Sequence, residues 1–194
     1  MYKEEFDFVF KLLEEVRPLI LSGYHHEFDV EIKEDGSPVT NIDKAVDSFL
    51  RNALKEAFPN YALLTEETLD DKSRLDNDYV WIIDPIDGTR EFVAHQYEFV
   101  TNIALVYKHE VVLSFILEPL SFEIYYAIKG EGAYLYKDGV ADAACGCAAV
   151  RSVRGVGHKD RERHLSCACA VQTVRYRPSG YQAAEHLFIP AWRL

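Results

Sequence analysis

The sequence predicts a layered α/β sandwich in which an N-terminal pair of helices packs on a largely antiparallel sheet. Three observations carry this. Apolar residues recur at helical spacing over two N-terminal segments, a continuous apolar run (Tyr79-Val80-Trp81-Ile82-Ile83) lies mid-chain, and four strand-like segments follow it between short turns. With 194 residues, 48% of them hydrophobic, the chain has material for one sizeable core.

Phe6, Val9, Phe10, Leu13, Val16 and Ile20 form the apolar face of a first helix over residues 4 to 22, which Pro18 is expected to bend or end. Residues 24 to 39 are polar, with Asp35-Gly36-Ser37-Pro38 as a turn signal. A second helix is predicted after Thr40. Thr40-x-x-Asp43 has the form of a capping box with Asp in place of Glu, and Ile42, Val46, Phe49, Leu50, Ala53 and Leu54 supply the apolar face. Phe58-Pro59-Asn60 stops it, Tyr61 to Leu64 reads as a short strand, and an acidic loop runs from Glu66 to Asp78. Tyr79 to Ile83 reads as a central strand covered on both faces. A short helix near Thr89 to Ala94 and strands at 100 to 107, 111 to 118, 123 to 128 and 132 to 136 complete a meander; Arg161 to Ala170 has only weak helical character.

The net charge of -11 argues against a polyanion or an anionic membrane surface as partner, so an acidic chain that handles phosphate has to recruit cations. No apolar stretch approaches the ~20 residues of a bilayer span, and the first residues lack the layout of a secretion signal, which predicts a soluble, cytoplasmic protein. The charge is uneven. Residues 141 to 194 hold eight Lys or Arg against four Asp or Glu, whereas residues 1 to 140 hold thirteen against twenty-eight. Together with two Cys-x-Cys pairs, Cys145/Cys147 and Cys167/Cys169, this predicts a boundary near residue 140 between a main domain, 1 to 140, and a divergent basic tail, 141 to 194.

Chemistry concentrates at Asp84-Pro85-Ile86-Asp87-Gly88-Thr89. Two carboxylates follow a buried strand, Pro85 fixes its own φ and holds Asp84 extended, and Gly88 permits a tight turn into a helix start. Main-chain amides of Gly88 and Thr89 could face a phosphate there. Hard cations such as Mg²⁺ need oxygen ligands, available from Asp84, Asp87, the Ile86 carbonyl and Glu66 or Glu67. Two such ions about 4 Å apart can activate a water and stabilise a leaving alkoxide. Taken singly, each group also has a plain structural account: Asp84 and Asp87 as a cap or strand end, Glu66 as a solvated loop residue, Asp43 as the capping partner of Thr40.

Ser37-Pro38-Val39-Thr40-Asn41-Ile42-Asp43, Leu64-Thr65-Glu66-Glu67 and Trp81-Ile82-Ile83-Asp84-Pro85-Ile86-Asp87-Gly88-Thr89 resemble, in order and approximate spacing, the first three motifs of the inositol monophosphatase superfamily. Thr89-Arg90-Glu91-Phe92-Val93 and Tyr97-Glu98-Phe99-Val100-Thr101-Asn102-Ile103-Ala104-Leu105 are similar to its 3'(2'),5'-bisphosphate nucleotidase (CysQ-type) branch, whose substrate is 3'-phosphoadenosine 5'-phosphate. The resemblance covers about residues 1 to 140. It implies an αβαβα sugar-phosphatase fold, two or three Mg²⁺ ions, sensitivity to Li⁺, a small phosphorylated substrate and commonly a homodimer. It also implies roles: Glu66, Asp84, the Ile86 carbonyl and Asp87 as metal ligands; Asp43 and Thr89, with Glu66, in catalysis; Asp87, Gly88 and Thr89 at the substrate; Lys33 near the site. The family's second half supplies a Trp-Asp pair whose carboxylate binds a further metal. Neither Trp81 nor Trp192 is followed by Asp, so the tail is expected to be atypical or incomplete and turnover weakened. The alternatives are an inositol or sugar phosphate phosphatase, or a truncated inactive homologue that only binds metal or phosphate.

Overall fold

The computed structural model describes residues 2–144, 149–151 and 165–167. Helix α1 (Lys3–Tyr24) buries Val9, Leu13, Val16 and Ile20 of the predicted face, with Leu12 added to the stripe and Phe6 and Phe10 only partly buried against the core. Pro18 lies inside this helix and does not end it. An interior proline costs about 3 kcal/mol, whereas each large apolar side chain buried around it contributes about 1.5–3 kcal/mol. Val16 and Ile20 flank it in the core, and Arg17 donates to the Pro119 carbonyl at 2.7 Å.

The polar segment that follows is a hairpin rather than a bare turn. Strands β1 (Val30–Ile32) and β2 (Pro38–Thr40) pair antiparallel, and the Ser37 carbonyl accepts from the Lys33 amide at 2.8 Å. The hairpin delivers Thr40 as N-cap of α2 (Asn41–Ala57), with both halves of the capping box formed by Thr40 and Asp43. The buried stripe of α2 is Asp43, Val46, Asp47, Leu50 and Leu54. Phe49, expected on that face, is 36% exposed, because two aspartates take the inward positions.

Seven strands make the main sheet, in sequence order from one edge to the other: β3 (Ala62–Thr65), β4 (Tyr79–Asp87), β5 (Val100–Tyr107), β6 (Glu110–Glu118), β7 (Glu123–Ile128), β8 (Gly132–Lys137) and β9 (Val140–Ala143). Only β3 and β4 run parallel; every later pair is antiparallel. The predicted meander is therefore present, extended by β9, which carries the sheet past the compositional boundary at residue 140. Strand alternation sends Trp81, Ile83, Ile103, Leu105 and Phe115 to the helices, and the smaller Ala62, Val80, Ala104, Val106 and Val111 to the other face. A 3₁₀ turn (Ser73–Leu75) and the helix α3 (Thr89–Val93) complete this part. Of the weak helix expected over 161 to 170, the described residues Leu165–Cys167 are instead a strand, β11, paired antiparallel with β10 (Ala149–Arg151); the rest lies outside the described residues, as does most of the basic tail. Among the described residues no helix is long and apolar enough to cross a membrane.

Tyr61, Tyr79 and Tyr107 stack across β3, β4 and β5 with successive ring centroids 4.5 Å apart. The Tyr61 hydroxyl donates to Glu5 Oε1 at 2.8 Å, tying α1 to the sheet edge. Burial, and then the Glu5 carboxylate, push the Tyr61 phenol well above its ordinary value. The folded state thus prefers the neutral phenol: this contribution is complete below pH 10, the unfolded value, and decays as pH rises beyond it. Tyr61→Phe should lower stability at pH 8 by about 1 kcal/mol, the usual worth of such a bond, and flatten the alkaline decline, read as melting temperature between pH 8 and 11.5.

Candidate active site

The candidate side chains gather where β3 and β4, being parallel, end on the same side of the sheet. Glu66 and Glu67 leave β3, and Asp84 to Asp87 close β4. Along a regular strand Asp84 and Asp87, three residues apart, would face opposite sides. The register prevents this: Asp84 pairs with Asn102 and Asp87 with Val100, so β4 carries one extra residue there. Pro85, which lacks an amide hydrogen, lies inside this bulge. The Thr101 hydroxyl donates to the Pro85 carbonyl at 2.8 Å and secures it. The two carboxylates consequently feel each other, which the hexapeptide alone could only suggest.

Gly88 then turns the chain with φ 95°, and a Cβ there would lie 2.6 Å from the Glu98 carbonyl oxygen. The packed Glu98–Phe99 segment, together with the positive φ, leaves no room for a side chain. Gly88→Ala should destabilise the fold by about 1–3 kcal/mol, measured as a denaturant midpoint shift at unchanged slope.

Asp43 serves both accounts that its position allowed. Its Oδ2 accepts the Thr40 amide at 2.9 Å and also the Thr40 hydroxyl, while Oδ1 faces the Thr89 hydroxyl at 3.0 Å. Thr89 Oγ1 is also 3.0 Å from the Ile86 carbonyl, and its single proton can serve only one acceptor at a time. Asp43 is 1% exposed, and burial raises its carboxyl above the usual range against the opposing effect of its hydrogen bonds to Thr40 and Thr89. Lys33, at the tip of the β1–β2 hairpin, donates to Glu66 Oε1 at 3.0 Å and Glu67 Oε1 at 2.8 Å. Burial works against its charge, but these two bonds prevail and hold the ammonium above its ordinary value. Burial likewise raises Glu67, against the pull of Lys33.

Asp84 is the most strained of the group electrostatically. Burial first, then the charges of Asp87 and Glu66, push its carboxyl well above the usual range. Its Oδ1 is buried with no hydrogen-bond partner. Asp87 is raised by burial, with Glu66 adding to the effect and the Asn102 side chain, donating to Asp87 Oδ2 at 3.1 Å, opposing it. Among the described residues no group of three or more His, Cys, Asp or Glu is arranged to hold a metal by itself. The expected ligands are neighbours rather than a closed cage, because Lys33 engages Glu66 and Glu67, and Asn102 engages one oxygen of Asp87. The donor set nonetheless fits a hard divalent cation: all donors are oxygens, they repel one another, and one Asp84 oxygen is orphaned.

Asn102, Thr101, Asp47 and Thr68 were not singled out by sequence pattern as parts of this site. Asn102 is detectable as the amide side chain beside Thr101 in a strand that is apolar or aromatic elsewhere, and Asp47 as a second aspartate one helical turn after Asp43. Thr68 gave no signal.

Three comparisons bear on the site. A family model described as the inositol monophosphatase family matches residues 2–189, reaching into the tail that motif spacing left outside. Inositol-1-monophosphatase of Bacillus subtilis is 36% identical over 126 residues, 64% of this chain and 48% of that protein. The 3'(2'),5'-bisphosphate nucleotidase CysQ of Haemophilus influenzae is 38% identical over 113 residues, 57% of this chain and 42% of its own. A crystal structure of an IMPase/NADP phosphatase complexed with Mg²⁺ and phosphate superposes with a TM-score of 0.64 at 28% identity, covering 70% of this chain and 52% of that one. The chain thus spans about half the length of the proteins it matches.

Asp84→Asn removes the charge that its neighbours oppose most. It should raise the stability of the metal-free protein by about 1 kcal/mol, since relieving such repulsion commonly yields 0.5–2 kcal/mol, and abolish any rise in melting temperature on adding Mg²⁺.

Proposed function

The chain belongs to the inositol monophosphatase family, and from that premise we propose that it hydrolyses a small phosphomonoester, foremost 3'-phosphoadenosine 5'-phosphate to AMP and phosphate, with Mg²⁺ as cofactor. The observation that carries this is the Asp43–Thr89 contact of 3.0 Å beside the Glu66, Asp84 and Asp87 carboxylates. Glu66, Asp84, Asp87 and the Ile86 carbonyl would hold the cation, which when bound supplies charge neutralisation for the phosphate and lowers the pKa of water.

The residues of the chain do the rest. When Thr89 donates to Asp43, its oxygen is free to accept a proton from a water and so to aim that water at phosphorus. As the oxygen–phosphorus bond forms and the ester bond breaks, one water proton passes to Thr89 Oγ1 while the Thr89 proton moves to Asp43; the leaving alkoxide takes a proton from solvent, and Asp43 then releases its own to solvent. Burial of Asp43 favours its protonated form and suits it to that role. The Gly88 and Thr89 amides face the phosphate from the turn that φ 95° permits; α3 has only five residues, so these local amides and not a long helix dipole provide the contact.

A second observation favours another reading: the longer match to an inositol-1-monophosphatase supports an inositol or sugar phosphate as substrate. Phosphate release from 3'-phosphoadenosine 5'-phosphate and inositol 1-phosphate, assayed side by side, separates them. Faster release from the nucleotide is expected, lost on chelation of Mg²⁺, inhibited by Li⁺, and reduced at least about a hundredfold by Asp87→Asn. Equal background rates in wild type and Asp87→Asn would sink the enzymatic reading.

A further inference from the structure

Asp47 lies one helical turn after Asp43 on the buried stripe of α2 and is 2% exposed. Its Oδ2 accepts the Thr68 hydroxyl at 2.8 Å and faces the Arg51 guanidinium at 3.7 Å. Arg51 Nη1 donates in turn to Thr68 Oγ1 at 3.0 Å. The Thr68 hydroxyl therefore gives its one proton to Asp47 and accepts another from Arg51, which fixes its orientation. The second Asp47 oxygen, Oδ1, is buried with no hydrogen-bond partner. For packing alone an apolar side chain would serve this stripe better, since an incompletely satisfied buried carboxylate is a net liability to stability.

What Thr68 belongs to gives the network its meaning. It directly follows Glu66-Glu67, in a stretch from residue 66 to 72 that has neither helix nor strand and whose next side chain, Leu69, is 94% exposed. The Glu66 and Glu67 side chains are engaged by Lys33, a contact that a cation would compete with. The backbone of this arm must then be located by something else, and Thr68 meets α2 there. One turn earlier the same helix holds the Asp84–Thr89 turn through Asp43.

We infer that Asp47, Arg51 and Thr68 form a clamp that positions the Glu66–Glu67 arm, so that beyond the paired ends of β3 and β4 helix α2 ties that arm to the Asp84–Asp87 turn. Asp47 and Thr68 are positioning residues and touch no substrate. The consequence for cation binding rests on the proposed function; the clamp itself does not.

Thr68→Val removes the hydroxyl at nearly constant shape, and Thr68→Ser restores it. Amide hydrogen exchange over residues 66–70 of the metal-free protein, and Mg²⁺ affinity by calorimetry, read the two levels separately. Thr68→Val should speed exchange in that stretch while leaving the rest of β3 and α2 protected, and should weaken Mg²⁺ binding about tenfold; Thr68→Ser should recover both. Unchanged exchange in Thr68→Val overturns the clamp, and so does a uniform loss of protection, which would mark a merely structural network. If the wild type takes up no Mg²⁺, the proposed function fails and the exchange result still decides the clamp.

Discussion

The capping box of α2 is the contact on which the site depends. Thr40 and Asp43 satisfy amides at the start of the helix, as any such box does. Here the same carboxylate has a second oxygen, and that oxygen reaches Thr89 across the domain. A local device for starting a helix thereby becomes a tertiary tie between α2 and the turn after β4. The hairpin of β1 and β2 is subordinate to it, since it delivers both Thr40 to the cap and Lys33 to the glutamates.

A second constraint is parity. Two carboxylates three residues apart can cooperate only if the strand between them gains a residue, and the bulge at Asp84–Asp87 supplies it. Proline is tolerated in that bulge, and Thr101 from the next strand satisfies its carbonyl. Gly88 follows because the chain must then turn against the backbone of Glu98 and Phe99. Each residue of the motif thus answers a geometric need before it answers a chemical one.

The cost is electrostatic. Four acidic side chains share one end of the sheet in a chain of net charge -11, and burial raises three of them, Glu67, Asp84 and Asp87, above the usual carboxylate range. Lys33 and Asn102 offset part of this repulsion. The strain is concentrated where a cation would relieve it.

By itself the sequence determined both helices, the capping box, the meander and the residues of the motif, because helix caps, strand periodicity and proline or glycine turns are written in neighbouring positions. It also pointed to the family through three short motifs in order. What only the tertiary structure decided are the relations between distant segments: the survival of α1 through Pro18, the inward turn of Asp43 and Asp47 at the expense of Phe49, the grip of Asn102 on Asp87, and the meeting of Thr68 with α2. The reason is physical. A side chain's partner across the fold depends on register and on which face is buried, and a shift of one residue, such as the bulge in β4, reverses the face without changing the sequence pattern that predicts the strand.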